Sequence, residues 1–276
     1  STAALAGTTA ATKISANTIA GFSIVSFTCP SSNQNFSIGH GLGVKPGMVI
    51  MKKRNATGAW LTWHKDLSVE SYYLQLNSNL GESGLTQDSR IWGDQSFTST
   101  TISTSTGYSF DVNDTVVSYC FADIAGYQKL GSYTGTGNAN GNYVFTDSNG
   151  DGTGTGAFEP AFLLVKRTDV AADWFMYDNK RMYGSEAPAN PLDGELRANR
   201  NLAEDDYPGY NFYTNGFEVA NNGTNMNASG GTYIYLAIAA DKDSSVPTQA
   251  NSFSPTTYTG TGGTNHNIYT PFAPDF

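Results

Sequence analysis

Pro46 and Pro160 each open an apolar run that ends in basic residues, and each is followed fourteen residues later by a tryptophan. The first run is Pro46-Gly-Met-Val-Ile-Met-Lys-Lys-Arg54 with Trp60. The second is Pro160-Ala-Phe-Leu-Leu-Val-Lys-Arg-Thr168 with Trp174. Other matches follow in the same order. Ser26-Phe-Thr28 corresponds to Ser132-Tyr-Thr-Gly135, Leu74-Gln-Leu-Asn77 to Leu196-Arg-Ala-Asn199, and Thr115–Ala122 to Thr232–Ala239. A chain with such an internal period must fold as repeated units, so the period constrains the fold before any single residue does. Thr257-Tyr-Thr-Gly260 and Phe272-Ala-Pro-Asp-Phe276 match the opening of the second unit and read as the start of a third.

The units are expected to be all-β. Within Thr115–Ala122, Val117, Tyr119 and Phe121 alternate with Ser118, Cys120 and Ala122. Ile234, Leu236 and Ile238 repeat that pattern, placing large apolar groups on one face of a strand and small ones on the other. Short apolar runs are separated by Gly, Asn, Thr and Ser, and no long stretch has helical periodicity. Strands are expected near 22–28, 36–39, 47–53, 59–64, 72–77, 89–92, 97–103 and 115–122 of the first unit. Two tandem β-sandwiches, with a jelly-roll arrangement preferred, follow at 21–126 and 127–243; the lectin-like type is what the resemblance given below implies. Residues 1–20 read as a linker or arm, and 244–276 as a linker with a truncated third unit.

Charge narrows the partners. The net charge is −9, and the largest basic cluster is Lys52-Lys53-Arg54, so nucleic acid is not an expected partner. No apolar run has the length of a membrane-spanning helix, and no membrane insertion is expected. Cys29 and Cys120 are expected to be free small hydrophobes, with pairing as the alternative if their strands are neighbours.

Ala20–Thr28, His40-Gly-Leu-Gly43, Tyr119-Cys-Phe-Ala122, Lys129–Gly137, Pro160–Arg167 and Ser229–Tyr235 resemble a repeat of phage structural proteins. Those proteins are common in marine and cyanobacterial phages and are described as tail-fibre-like or as concanavalin A-type sandwiches. The resemblance covers about residues 17–243 and implies a non-enzymatic role in a virion. It implies other virion proteins as partners, a homo-oligomer such as a trimer, and contact with host-surface glycan. It carries no catalytic residues. A bacterial cell-surface adhesin or filament subunit is the second reading, and a carbohydrate-active enzyme or its binding module the third.

The residues offer two kinds of site. Asp147-Ser-Asn-Gly-Asp-Gly152 has the opening of a calcium loop, with Asp147, Asn149, Asp151 and Thr153 as candidate ligands. Position twelve is Phe158 instead of a glutamate, so this is no EF-hand, and a metal-free acidic turn is the alternative. Glycan contact needs exposed aromatics beside polar side chains. Tyr72, Tyr73 and Trp92 in the first unit, and Tyr207, Tyr210 and Tyr213 in the second, lie on or near loops and are the candidates. Core packing is the alternative for each. His40, His64 and His266 share no metal-ligand spacing. Neither a nucleophile elbow nor the paired carboxylates of a glucanase strand is present, and Glu204-Asp205-Asp206 reads as a solvated acidic loop.

Overall fold

The computed structural model describes residues 6–83, 89–93, 96–108, 110–184, 189–239, 257–263 and 267–269. It is nearly all β, with multiple antiparallel sheets. The first half contains β1 (Lys13–Asn17), β2 (Phe22–Thr28), β3 (Asn35–Gly39), β4 (Met48–Lys53), β5 (Trp60–His64), β6 (Leu74–Gln75), β7 (Thr101–Ser105) and β8 (Thr115–Phe121). The second contains β9 (Gln128–Thr134), β10 (Asn142–Phe145), β11 (Pro160–Arg167), β12 (Trp174–Asp178), β13 (Leu192–Arg197), β14 (Asp205–Tyr213), β15 (Gly216–Val219) and β16 (Thr232–Ala239). A single helical turn, α1 (Thr224–Asn227), precedes β16.

The strand order repeats. One sheet runs β1-β2-β8-β4-β5-β6, and the other begins, from its far edge, β9-β16-β11-β12-β13. The registers repeat too. Ile50 faces Tyr119 across β4 and β8, and Leu164 faces Leu236 across β11 and β16. Leu61 faces Gln75, and Phe175 faces Arg197. Even a side-chain contact is duplicated: the Trp60 N–H donates to Asn77 Oδ1 at 2.8 Å, and the Trp174 N–H to Asn199 Oδ1 at 2.9 Å.

Each half folds its strands over its own part of one continuous core. In the first, β3 pairs with β7 and packs on the main sheet, with Phe27 and Phe36 edge to face at 5.9 Å. In the second, β13 is followed by β14, β15 and β10 in one eight-stranded sheet. Its register shifts between Leu192 and Gly194, and the sheet folds back so that Phe217 of β15 meets Tyr235 of β16 at 5.1 Å. Tyrosines fill this core because each hydroxyl finds a partner. Tyr133 donates to the Met226 carbonyl at 2.8 Å, and Tyr177 to the Tyr207 carbonyl at 2.9 Å. Burial raises the hydroxyls of Tyr133, Tyr177 and Tyr210 above their ordinary range, so all three are neutral donors.

Two expectations need correction. Residues 89–92 form a 3-10 turn instead of a strand. Residues 13–17, read as linker, are the edge strand of the first sheet. Ile14 packs toward the core, and the unpaired backbone edge of β2 supplies the ladder. Most of 244–276, where the third unit was expected, lies outside the described residues. Cys29 and Cys120 are both buried and free. Cys120 faces Ser23, six positions from Cys29 along β2, or about 20 Å at the rise of a strand. Burial pushes both thiols up to about 12, so neither is a reactive thiolate.

The halves are locked together. One cluster of buried apolar side chains runs through both. His64 Nε2 donates to the Tyr235 carbonyl at 3.2 Å, and Trp174 Nε1 to the Gln75 carbonyl at 3.0 Å. The Asn79 carbonyl accepts the Ala172 N–H at 2.8 Å, and the Thr168 carbonyl accepts the Glu82 N–H at 2.7 Å. Lys166, whose side chain is fully buried, reaches the Asn79 and Arg167 carbonyls. Burial lowers its ammonium to about 8, against partial opposition from the Asp173 and Asp169 carboxylates.

Candidate functional site

The candidate calcium residues come together, but their oxygens are engaged in hydrogen bonds within the loop. Asp147 is 1% exposed; its Oδ1 accepts the Gly150 N–H at 2.8 Å and its Oδ2 accepts the Gly154 N–H. Asp151 accepts both the Thr153 N–H, at 2.9 Å, and its hydroxyl, at 2.6 Å, which holds the carboxyl below its ordinary value. Asn149 donates to the Thr153 hydroxyl, and the Lys129 ammonium sits 3.0 Å from the Ser148 carbonyl. Among the described residues no three His, Cys, Asp or Glu side chains gather where a metal could be held. The set as folded does not fit calcium, which needs those oxygens pointing at one centre. Asp147 instead staples the loop. Asp147→Ala is therefore expected to lower stability by about 1–3 kcal/mol, equally in calcium and in chelator. Thermal melts check this; a calcium-dependent rise in melting temperature that the substitution abolishes would restore the metal site.

The aromatic candidates divide by burial. Trp92 (3% exposed) and Tyr210 (0%) belong to the core and cannot form a surface platform. Trp92 packs edge-on against Phe97 and donates to the Tyr72 carbonyl at 3.0 Å. Tyr210 meets Tyr177 edge-on at 5.1 Å. Tyr72, Tyr73 and Tyr207 are half-buried against the same core, and the Tyr207 hydroxyl is held by Asn221. A loop position told the sequence reading nothing about which way these rings turn.

The exposed aromatic pair lies elsewhere, on the outer face of β10, β15 and β14. Tyr143 and Glu218 are directly opposite across β10 and β15, and Asn211 is opposite Glu218 across β15 and β14. Tyr213 is two residues beyond Asn211 on the same face. The two tyrosine rings are 6.1 Å apart and 55% and 38% exposed. Beneath them Glu218 is 4% exposed. Its Oε1 accepts the Gly141 N–H at 2.7 Å, while its Oε2 accepts the Asn211 amide at 2.8 Å and the Tyr213 hydroxyl at 3.2 Å. Burial alone would raise this carboxyl. The Gly141, Asn211, Tyr213 and Tyr143 donors outweigh it and keep Glu218 below its ordinary value, hence ionised. The loss of solvent and the nearby carboxylate push the Tyr213 hydroxyl up.

A charged base that fixes both hydroxyls leaves the rings as a preset surface. Asn211 Oδ1 is buried without a hydrogen-bond partner, one of two such side-chain atoms among the described residues. The sequence reading included Tyr213 and missed Tyr143. Its signal is the alternation of Asn142-Tyr143-Val144-Phe145, which turns Tyr143 away from the buried Val144.

A family model described as a domain of unknown function, DUF7483, matches residues 1–241. The chain belongs to this family. No curated protein and no solved structure matches it. The matched stretch takes in β1 and both halves, so the joint between them lies inside one DUF7483 domain, as does the tyrosine face.

The buried carboxylate most like a catalytic acid in this DUF7483 domain is Glu195. It is 1% exposed, and burial raises its carboxyl above the ordinary value. It is bound to the Arg197 guanidinium and receives the Tyr177 hydroxyl at 3.3 Å. Arg197 also reaches Asp173, which takes Arg200 and Asn199 as well. That network ties β13 to the turn before β12, a structural use for every one of its charges.

Proposed function

We propose that this DUF7483 domain is a non-enzymatic structural module of a phage virion, in a tail fibre, appendage or capsid decoration. In this reading it assembles with other virion proteins and contacts host-surface glycan. The observation that carries the glycan contact is the Tyr143–Tyr213 pair over Glu218 and Asn211. Tyrosine rings give rigid, amphipathic contact area at low entropy, suited to the apolar faces of sugar rings. Neighbouring polar groups meet the sugar hydroxyls. The virion role is supported by the resemblance of both repeats to phage structural proteins and by their rigid joint.

Two experiments test the two parts. Immunogold labelling of purified particles is expected to mark the tail or the head; label on bacterial envelopes alone would favour the adhesin reading. Titration of host polysaccharide followed by NMR is expected to shift signals of β10, β14 and β15. Tyr213→Ala is expected to weaken that binding by about tenfold, with a small fall in melting temperature because buried Glu218 loses one of its donors. Binding unchanged in Tyr213→Ala and Tyr143→Ala removes this face as the site. Polysaccharide cleavage abolished by Glu218→Gln would overturn the non-enzymatic reading.

A further inference from the structure

The contact between the two halves is heterologous: one surface of the first half meets a different surface of the second. The first half supplies the loop Asn77-Ser-Asn-Leu-Gly-Glu82, through the Asn79 carbonyl and the Glu82 N–H. The second supplies the β11–β12 turn and its flanks: Lys166, Thr168, Ala172 and Trp174. These are 0%, 4%, 5% and 1% exposed. A heterologous contact between repeats leaves the counterpart surface of each half outside the joint.

Both unused surfaces are present. The loop recurs in the second half as Asn199-Arg-Asn-Leu-Ala-Glu204, where Asn201, Leu202 and Ala203 are exposed. The turn recurs in the first half as Lys52, Arg54, Gly58 and Trp60. Arg54 and Gly58 are exposed there, and Lys52 and Trp60 half-buried. Trp174 Nε1 has its acceptor in Gln75, whereas Trp60 Nε1 has none among the described residues. Lys166 reaches two carbonyls, but Lys52 reaches only that of Lys53. The exposed side chains are also complementary in charge. Exposed Arg54, which forms no ion pair among the described residues, heads the turn, and exposed Asp206 closes the loop beside Glu204 and Asp205, which pair with Arg181 and Arg197.

We infer that copies of this chain stack head to tail, the 199–204 loop of one copy docking on the β4–β5 turn and Trp60 of the next. The contact repeats the internal joint and is heterologous, so each copy added presents a fresh surface of each kind and the stack grows as a row. It departs from the joint at one place. A Cβ on Gly81 would lie 2.7 Å from the Thr168 carbonyl oxygen, and the second loop carries Ala203 at that position. The docked turn must therefore stand a few tenths of an ångström further out, which makes the contact between chains weaker than the one within.

Ala203 is exposed, so it can be changed without disturbing the fold. Sedimentation velocity of the purified chain, from micromolar to millimolar, is expected to show open-ended association that weakens with salt. Ala203→Arg is expected to lower the association constant at least about tenfold with an unchanged melting temperature. Ala203→Gly, which removes the obstacle, is expected to raise it. A chain that stays monomeric to millimolar concentration overturns the inference, as does a closed dimer or trimer that Ala203→Arg leaves intact.

Discussion

Trp174→Ala is expected to destabilise the domain by about 3–5 kcal/mol, the usual range for truncating a buried tryptophan. The residue is 1% exposed, and its indole spans the joint to reach Gln75, 99 positions earlier in the chain. The loss has two parts. The cavity lies between the halves, and the Gln75 carbonyl loses a donor, although it keeps the Ser78 N–H at 3.0 Å. Trp60→Ala is the internal control. It occupies the same strand position and makes the same backbone contact to an asparagine, but it is only half-buried, stacked on Tyr119. Its truncation in the monomer is expected to have roughly half the effect, because less apolar area leaves the core. Denaturant titrations of both variants at low concentration separate the joint from the sheet. At roughly 2–4 °C per kcal/mol for a chain of this size, the Trp174 variant melts about 10 °C lower. A change below about 1 kcal/mol for Trp174→Ala would mean the halves are stable independently and the joint contributes little.

Much of this joint was written in the sequence as two copies of one pattern. The alternation of Val117, Tyr119 and Phe121 with Ser118, Cys120 and Ala122 gave a strand with two unlike faces. The ladders place Ile234, Leu236 and Ile238 in the matching register. What a period cannot encode is which copy covers which. Lys52 and Lys166 follow equivalent apolar runs, yet one is half-buried and the other fully buried. The difference arises 87 positions away from Lys166, at Asn79. The tyrosine face was hidden for a related reason. Tyr143 is one ring in a segment of Asn, Asp, Gly and Thr. Its partners Asn211, Tyr213 and Glu218 reach it only through two ladders closed late in the chain. The calcium reading met the opposite problem. Asp147, Asn149, Asp151 and Thr153 have the right residue types in the right order, but the same oxygens serve as well for capping amides in a tight turn. β1 was hidden by composition, since edge strands need few apolar residues when a ready backbone edge is available.

Acid is expected to open the joint through His64. The ring is 1% exposed; Nε2 donates to the Tyr235 carbonyl, and Nδ1 accepts the Asp66 N–H, each at 3.2 Å. A second proton would place two donors face to face at Nδ1. Burial, with Lys65 adding to it, lowers the ring to about 3, against partial opposition from Tyr235 and Asp123. The unfolded chain binds that proton near 6.5, so between 6.5 and 3 it holds more protons than the folded one. Stability from His64 is therefore complete above about 6.5, falls with pH, and is exhausted near 3. Over the stretch from 6.5 to 4 the loss amounts to roughly 3 kcal/mol. His40 is buried in the same geometry, with its ring also lowered by burial, and adds in the same direction. The raised carboxyls of Asp66 and Glu195 act oppositely, since burial makes them take protons earlier when folded. A comparison isolates the histidine. His64→Gln keeps a donor toward Tyr235 and removes the titration. The slope of stability against pH between 6.5 and 4 should then flatten by about one proton, roughly 1.4 kcal/mol per pH unit. Equal slopes in the two proteins would show that the His64 ring titrates freely, and with it the joint would lose its acid sensitivity. A flattened slope assigns that share of the acid sensitivity to protonation of the His64 ring at the joint.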